Sequence, residues 1–324
     1  MKNYLRGLVA CVLATASAGA ALAQAAYPNQ KIAFVVPFTP GGAGDLIARA
    51  IANKMAEAWR QPVVIENRAG AGGNTGSLHA AKAAPDGHTI LIGSTSSHAI
   101  NSSLYKEKMP YDVERDFASV MMVATSPHIL LVNKSLPVKN VTELVAYAKA
   151  NPGKINFSSG GNGTTTHLAG ELFRTLTGTD MVHVPYKGAP EGVQGVMGGQ
   201  TQMMFENLSG ALPQLGGDRL RGLGISSERP IALVPGMPAV AETVPGFETA
   251  VWFGIFVPVR TPADVVAKLN AEINRILLLP DIKERFAKMG MQAMGGSSAE
   301  AARYVKAEIA KWADVVKASG ASID

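Results

Sequence analysis

From Lys31 onward, short apolar runs rich in β-branched residues alternate with stretches whose apolar positions recur at helical spacing, the grammar of parallel α/β units. Ile32–Phe38 reads as a buried strand. Leu46, Ile47, Ala50, Ile51 and Met55 then share one helical face, and Pro62–Asn67 returns as a strand. A helix over Asn74–Ala83, a Pro85-Asp86-Gly87 turn and strands at Thr89–Gly93 and Val120–Ala124 complete a first unit. The pattern repeats with strands at Ile129–Val132, Ile155–Ser158, Val182–Pro185, Gln202–Phe205 and Leu220–Ile225. Helices fall between them near Val141–Ala150, Thr165–Leu176 and Glu191–Met197. After a passage broken by Pro230, Pro235, Pro238 and Pro245 come one strand, Val251–Val257, and helices at Ala263–Leu278, Asp281–Met289 and Ala299–Ala318. The last helix has no following strand to cover, so it is expected to pack back onto an earlier sheet. Tandem domains and a split first domain completed by the C-terminus both satisfy this pattern.

The chain ends and composition narrow the class. Lys2 and Arg6 precede an apolar stretch dominated by Ala, Ser and Thr from Leu8 to Ala23, and Ala21-Leu22-Ala23 supplies a small-x-small cleavage pattern. That layout predicts a signal peptide over 1–23, removed on export to the periplasm, with a mature start at or just after Gln24. The only cysteine, Cys11, lies inside this leader, too early to serve as a lipid attachment site. A mature chain without cysteine holds neither disulfide nor thiolate metal site and draws its stability from burial. At 17% charged and 47% hydrophobic, the 324 residues suit two large cores. Without the two leader cations the formal +5 shrinks to a small, scattered excess, which argues against nucleic acid as a partner.

Candidate chemistry sits where strands give way to helices, because in open α/β sheets ligands bind beyond the carboxyl ends of the strands. In Pro37-Phe38-Thr39-Pro40-Gly41-Gly42-Ala43-Gly44-Asp45, glycines admit a ligand to the backbone and the next helix offers free first-turn amides, a natural seat for a carboxylate. The loop lacks the third glycine of a dinucleotide fingerprint, and Asp45 reads first as a helix cap and second as a contact. Ser158-Ser159-Gly160-Gly161-Asn162-Gly163-Thr164-Thr165-Thr166-His167 repeats the arrangement with three hydroxyls at a helix start. No lysine follows Gly163, which excludes a nucleotide-hydrolase phosphate loop. The loop from Arg68 to Gly76, including Asn74, and the hydroxyls from Ser94 to Ser97 are expected at the same crevice. Lys187, after the strand ending at Pro185, is a candidate for a carboxylate, and Asn207 ends another strand.

Nothing pairs a nucleophile with a base. No serine occupies a Gly-x-Ser-x-Gly elbow, the six histidines are scattered without metal-ligand spacing, and no cofactor or metal is implied.

Several of these segments together resemble the Bug family of periplasmic binding proteins, the receptors of tripartite tricarboxylate transporters. They are Pro37-Phe38-x-Pro40-Gly41-Gly42-x-x-Asp45, Glu66-Asn67-Arg68-x-Gly70-Ala71-Gly72-Gly73-Asn74, Pro85-Asp86-Gly87 and Tyr111-Asp112. Ser159-x-Gly161-x-Gly163-Thr164-x-x-His167-Leu168 and His183-Val184-Pro185-Tyr186-Lys187-Gly188 complete the series, which keeps one register from Tyr27 to the C-terminus. The resemblance implies an α/β type II periplasmic-binding-protein fold, two lobes joined by two crossing strands near Ala124–Pro127 and Glu248–Trp252. Lobe 1 would comprise 24–125 plus 249–324 and lobe 2 126–248. It also implies a small carboxylate ligand held by Phe38–Gly42 and Gly163–Thr166, with Tyr186 in the matched motif, and membrane permease subunits as partners of a monomeric receptor. Glu206 offers an acid where an amino-acid ligand would place its ammonium. A carboxylate sensor serving a membrane kinase is the alternative role, and a periplasmic hydrolase a more distant one.

Overall fold

The computed structural model describes residues 27–321. The predicted leader and its cleavage site lie outside the described residues. One continuous sheet orders ten strands, and its first half is built on β1 (Ile32–Val36), which lies parallel between β2 (Val63–Asn67) and β3 (Thr89–Ser94). Every residue of β1 except Ala33 is buried, as a strand covered by helices on both faces requires. The next strand along is not the next in sequence: β9 (Ala250–Pro258) inserts antiparallel between β3 and β4 (Phe117–Asn133).

The split arrangement is therefore the one the chain adopts. One face of this half-sheet packs against α1 (Ala43–Trp59), α7 (Ala263–Leu277) and α8 (Pro280–Lys288), burying Ile47, Ile51, Leu269, Ile273 and Phe286. The other face receives α9 (Ser298–Ser319), whose Ala301, Val305, Trp312 and Val316 pack with Leu91, Trp252 and Phe256. Glu308 fixes that helix in place, accepting hydrogen bonds from the indole N–H groups of Trp252 (2.8 Å) and Trp312 (3.1 Å). The terminal helix thus packs back onto an earlier sheet, and it touches helix α4 (Thr165–Thr177) of the second half as well.

The strands expected separately at Val120–Ala124 and Ile129–Val132 are one, β4, 17 residues long. Ser126-Pro127 looks like a break but marks a change of partner. Up to Pro127 the strand pairs with β9, and from His128 it pairs with β7 (Met203–Asn207) and β8 (Leu220–Ile225). A proline is tolerated there because it sits where one ladder ends and another begins, and the following N–H, of His128, donates to Ser226 Oγ at 2.7 Å. β4 and β9 are the two crossing strands, paired at Thr125–Trp252, Ser126–Val251 and Pro127–Ala250.

Beyond the crossing, β5 (Ile155–Ser159) runs parallel to β6 (Met181–Pro185) and to β7. The helices of this half are α3 (Val141–Ala150), α4 (Thr165–Thr177), α5 (Ala189–Met197) and α6 (Leu208–Leu215). Phe157, Phe173, Phe205 and Phe247 centre its core on one face, and Ile129, Met204 and Leu208 belong to a cluster on the other. Helix α2 (Asn74–Ala81) follows β2. The pattern gave no sign of α6, of the short strand β10 (Gln292–Gly295) on the edge of β4, or of the irregular helical run over 96–104.

Candidate functional site

Between the two halves lies a cavity of about 600 Å³, walled from one side by 37–39, 42–44, 69–73, Ser94, Ser96, Tyr105, Val251 and Phe253. The opposite wall comes from 160–162, 164–166, 185–190 and Asn207. Apart from Tyr105 and the β9 residues Val251 and Phe253, each segment follows the carboxyl end of a strand or precedes a helix, which is why both halves present loops to the same space.

At the β1–α1 junction, Phe38, Thr39 and Gly42 line the cavity together with Ala43 and Gly44. Asp45 lies behind them, 2% exposed. Its Oδ2 accepts from the Gly41 N–H (3.0 Å) and from Arg49 Nε (2.9 Å), while Oδ1 accepts from Asn67 Nδ2 (2.9 Å), which also donates to the Phe38 carbonyl (3.2 Å). Burial alone would raise this carboxyl's pKa, but the bonds from Arg49, Gly41 and Asn67 outweigh it and hold the group below the usual carboxylate range. Asp45 is not the N-cap; Gly42 is, without a side-chain bond to the helix. The acid is the third helical residue, and it reaches back to brace the loop. Consequently the first-turn amides of Ala43, Gly44 and Asp45 form no hydrogen bond with the protein, and those of Ala43 and Gly44 belong to residues on the cavity wall.

The β5–α4 junction uses its polar groups differently. Thr164 is the N-cap: its Oγ1 accepts from the His167 N–H (3.3 Å) and donates to the Gly161 carbonyl (2.7 Å). Thr166 Oγ1 accepts from the Gly160 N–H (2.9 Å), and the Gly163 N–H is spent on His167 Nδ1 (3.3 Å). The Thr165 N–H crosses the cleft to Ser96 Oγ at 3.1 Å. Behind the loop, His167 stacks on His183 with centroids 3.9 Å apart, and His183 Nε2 meets Ser159 Oγ at 2.6 Å. Burial, aided by His167 and Arg174, pushes the His183 pKa down to about 3, so the stack holds a neutral imidazole at physiological pH. At the helix start itself, the Thr166 amide and the Thr165 hydroxyl remain unspent on the cavity wall, with Asn162 beside them in the loop.

Of the other predicted site residues, Ser94, Tyr186, Lys187 and Asn207 line the cavity. Ser94 Oγ accepts from the Ser96 N–H, and the Tyr186 hydroxyl turns away to Gln200, leaving its ring on the wall. Asn207 Oδ1 is buried without a partner. Six predicted residues stand off the wall. Pro40 and Gly41 lie on the outer side of the turn, where Gly41 supplies the left-handed φ of 82°. Asp45 braces that turn; Asn74 Oδ1 accepts from Asn101 Nδ2 (2.7 Å) and the Tyr111 hydroxyl (3.0 Å). Ser158 Oγ donates to the Gly192 carbonyl, and Gly163 abuts Asn101 so closely that a Cβ would come within 2.3 Å of its Oδ1.

The 69–73 loop does reach the crevice, while Tyr105, Val251 and Phe253 are wall residues not anticipated. Alternation along β9, which sends Val251 and Phe253 to one face, is the signal that would have found two of them; nothing local marks Tyr105. Glu206 does not line the cavity. It is 3% exposed, its Oε2 has no partner, and desolvation pushes its pKa up to about 8. Among the described residues no His, Cys, Asp and Glu cluster is placed to hold a metal ion, and no helix is long and apolar enough to cross a membrane.

A split α/β fold with two crossing strands and a cleft lined by helix starts defines a solute-binding protein. The family model of the tripartite tricarboxylate transporter family receptor matches residues 47–321. A Pseudomonas sp. (strain P51) protein encoded in the tcbD-tcbE intergenic region is 39% identical over 293 residues, 90% of this chain and 87% of that one. Protein BugT of Bordetella pertussis is 33% identical over 320 residues, covering 98% of both chains. The solved structure of R. palustris Rpa4515 with adipate superposes with a TM-score of 0.88 at 36% identity, covering 91% of this chain and 99% of that one. The chain belongs to this receptor family, of the Bug type, and is a binding protein and not an enzyme.

Proposed function

We propose that the protein is a periplasmic receptor that closes lobe 1 (24–125 plus 249–324) and lobe 2 (126–248) around a small carboxylate and delivers it to permease subunits of a tripartite tricarboxylate transporter. The observation that carries this reading is a set of unspent donors on the cavity wall, the Ala43 and Gly44 amides at one helix start and the Thr166 amide at the other. A helix N-terminus favours an anion through both its free N–H groups and its dipole. Adipate in a relative covering almost the same length supports a carboxylate here. Closure would strip water from the anion and strengthen each charge-assisted bond. In this reading the leader is cleaved and the mature receptor is a monomer.

A thermal-shift screen of the mature protein against aliphatic, hydroxy and aromatic carboxylates tests the binding step. A true ligand at 100 times its dissociation constant adds about 2.7 kcal/mol of stability. A flat response across the whole panel would overturn the carboxylate assignment. Uptake of the ligand should also be lost when the permease genes are deleted; unchanged uptake would remove the delivery step and favour a sensing role.

A further inference from the structure

Asn162-Gly163, in the β5–α4 loop, is the only asparagine–glycine pair in the chain. Glycine leaves the backbone nitrogen after an asparagine unshielded by any Cβ, so the side-chain amide and that nitrogen can react with each other. Asparagine counts among the thermolabile residues. The Asn162 side chain lines the cavity, half-buried, and makes no hydrogen bond with any described residue, so its carboxamide is free to turn. Gly163 adopts a left-handed φ of 79° and is buried against Asn101 and Tyr105. Its N–H donates to an imidazole: His167 Nδ1 accepts at 3.3 Å. Accepting through Nδ1 leaves the ring's proton on Nε2, which lies 3.7 Å from Glu171 Oε1. Glu171 is held in turn by Arg174 at 2.6 Å, and the ring is held by its stack on His183.

A nitrogen, a base whose lone pair meets its hydrogen, and a carboxylate behind the base stand in the order that activates a nucleophile. A bond to a carbonyl would only hold the amide in place, whereas an imidazole can take its proton. We propose that Asn162-Gly163 is a self-modification site, where His167 assists conversion of Asn162 to aspartate and isoaspartate. As His167 takes the Gly163 proton, the nitrogen bonds to Asn162 Cγ. The Cγ–Nδ2 bond breaks, and the side-chain nitrogen leaves as ammonia carrying that proton. Water from the cavity then opens the resulting cyclic imide at either carbonyl, giving an aspartyl or an isoaspartyl link with no change of oxidation state. Either product puts a carboxylate on the cavity wall, and the isoaspartyl link also lengthens the backbone just ahead of the Thr164 cap. Resting on the carboxylate reading above, a receptor so modified repels the anion it holds, and the site retires old molecules from service.

The test keeps the mature protein at neutral pH and physiological temperature, samples it over time, and maps peptides by mass spectrometry, with isoaspartate read by an isoaspartyl methyltransferase. Asn29 and Asn140, both exposed and followed by Gln30 and Val141, are the internal references. Both products are expected at Asn162, at least about tenfold faster than at either reference, and a folded His167→Gln variant should slow that conversion by about tenfold or more. Wild-type protein unfolded in guanidinium should convert Asn162 no faster than the folded protein, because unfolding takes His167 away from Gly163. A rate at Asn162 no higher than at the references would overturn the proposal. So would faster conversion in guanidinium, or an unchanged rate in folded His167→Gln; if that variant does not fold, the guanidinium comparison decides alone. None of these measurements involves a ligand, so their failure leaves the carboxylate reading standing, and a flat ligand screen leaves the modification standing.

Discussion

The β1–α1 and β5–α4 junctions look like two copies of one device, yet they spend their polar groups in opposite ways. The second loop is the richer in hydroxyls. Its hydroxyls and amides largely satisfy one another: Thr164 caps His167, Thr166 holds Gly160, and the Thr165 amide is tied to Ser96. The first loop has no capping hydroxyl, and a buried carboxylate braces it from behind, so three amides are left over. Donor-rich sequence and donor-rich surface are different things. A side chain able to bind a ligand is equally able to bind its own backbone.

Two substitutions test that contrast most severely. Gly42→Asp would place a capping carboxylate on the amides of α1, where an added Cβ meets nothing nearer than the Thr39 carbonyl at 3.5 Å. It should weaken ligand binding by about a hundredfold or more while leaving the melting temperature unchanged or raised. Thr165→Asp adds a like charge at the first position of α4 and should cost about tenfold, measured by calorimetry. The reverse ranking would make the second junction the principal anion holder.

Next in size is Asp45→Ala, which strands the Gly41 N–H, Asn67 and the Arg49 guanidinium. Chemical denaturation should show a loss of about 3 kcal/mol, with ligand affinity reduced through the loosened loop. An affinity equal to wild type would mean that the brace does not shape the site.

The β7–α6 junction supplies a third case, in which a carboxylate faces a helix start and stays neutral. Glu206 Oε1 lies beside Gly210 in the first turn of α6, but burial prevails and its pKa reaches about 8. In the unfolded chain the group ionises near 4.5. Between these values only the unfolded state releases the proton, so this group lowers stability as pH rises from about 4.5 to about 8. Glu206→Gln should therefore stabilise the protein at pH 8 by on the order of a few kcal/mol relative to its effect at pH 5. Equal effects at the two pH values would show that Glu206 is already ionised in the folded protein.

Much of this architecture was legible because it rests on periodicity. The continuous apolar runs of β1, β3 and β9 and the helical spacing of α1 and α7 place themselves, and the two glycine loops between strand and helix mark the cleft. Three kinds of feature escaped. Pro127 looked like a stop, since its meaning depends on which strand lies alongside. The roles of Asp45 and the threonines depend on hydrogen bonds to Asn67, Gly160 and Ser96, partners that the fold alone brings within reach. Tyr105 enters the wall from an irregular helix that no pattern announced.

The position of β9 has a consequence for how the chain must be made. The first half-sheet cannot close until residues 250–258 slide between β3 and β4, so no truncated N-terminal piece contains a complete first lobe. The entropy of holding so long an intervening segment grows only slowly with its length, so the finished molecule loses little by it. The search for that pairing is slow, as sheets built from distant segments are. A chain threaded outward across a membrane would gain from this delay, remaining unlocked until its last quarter begins to emerge.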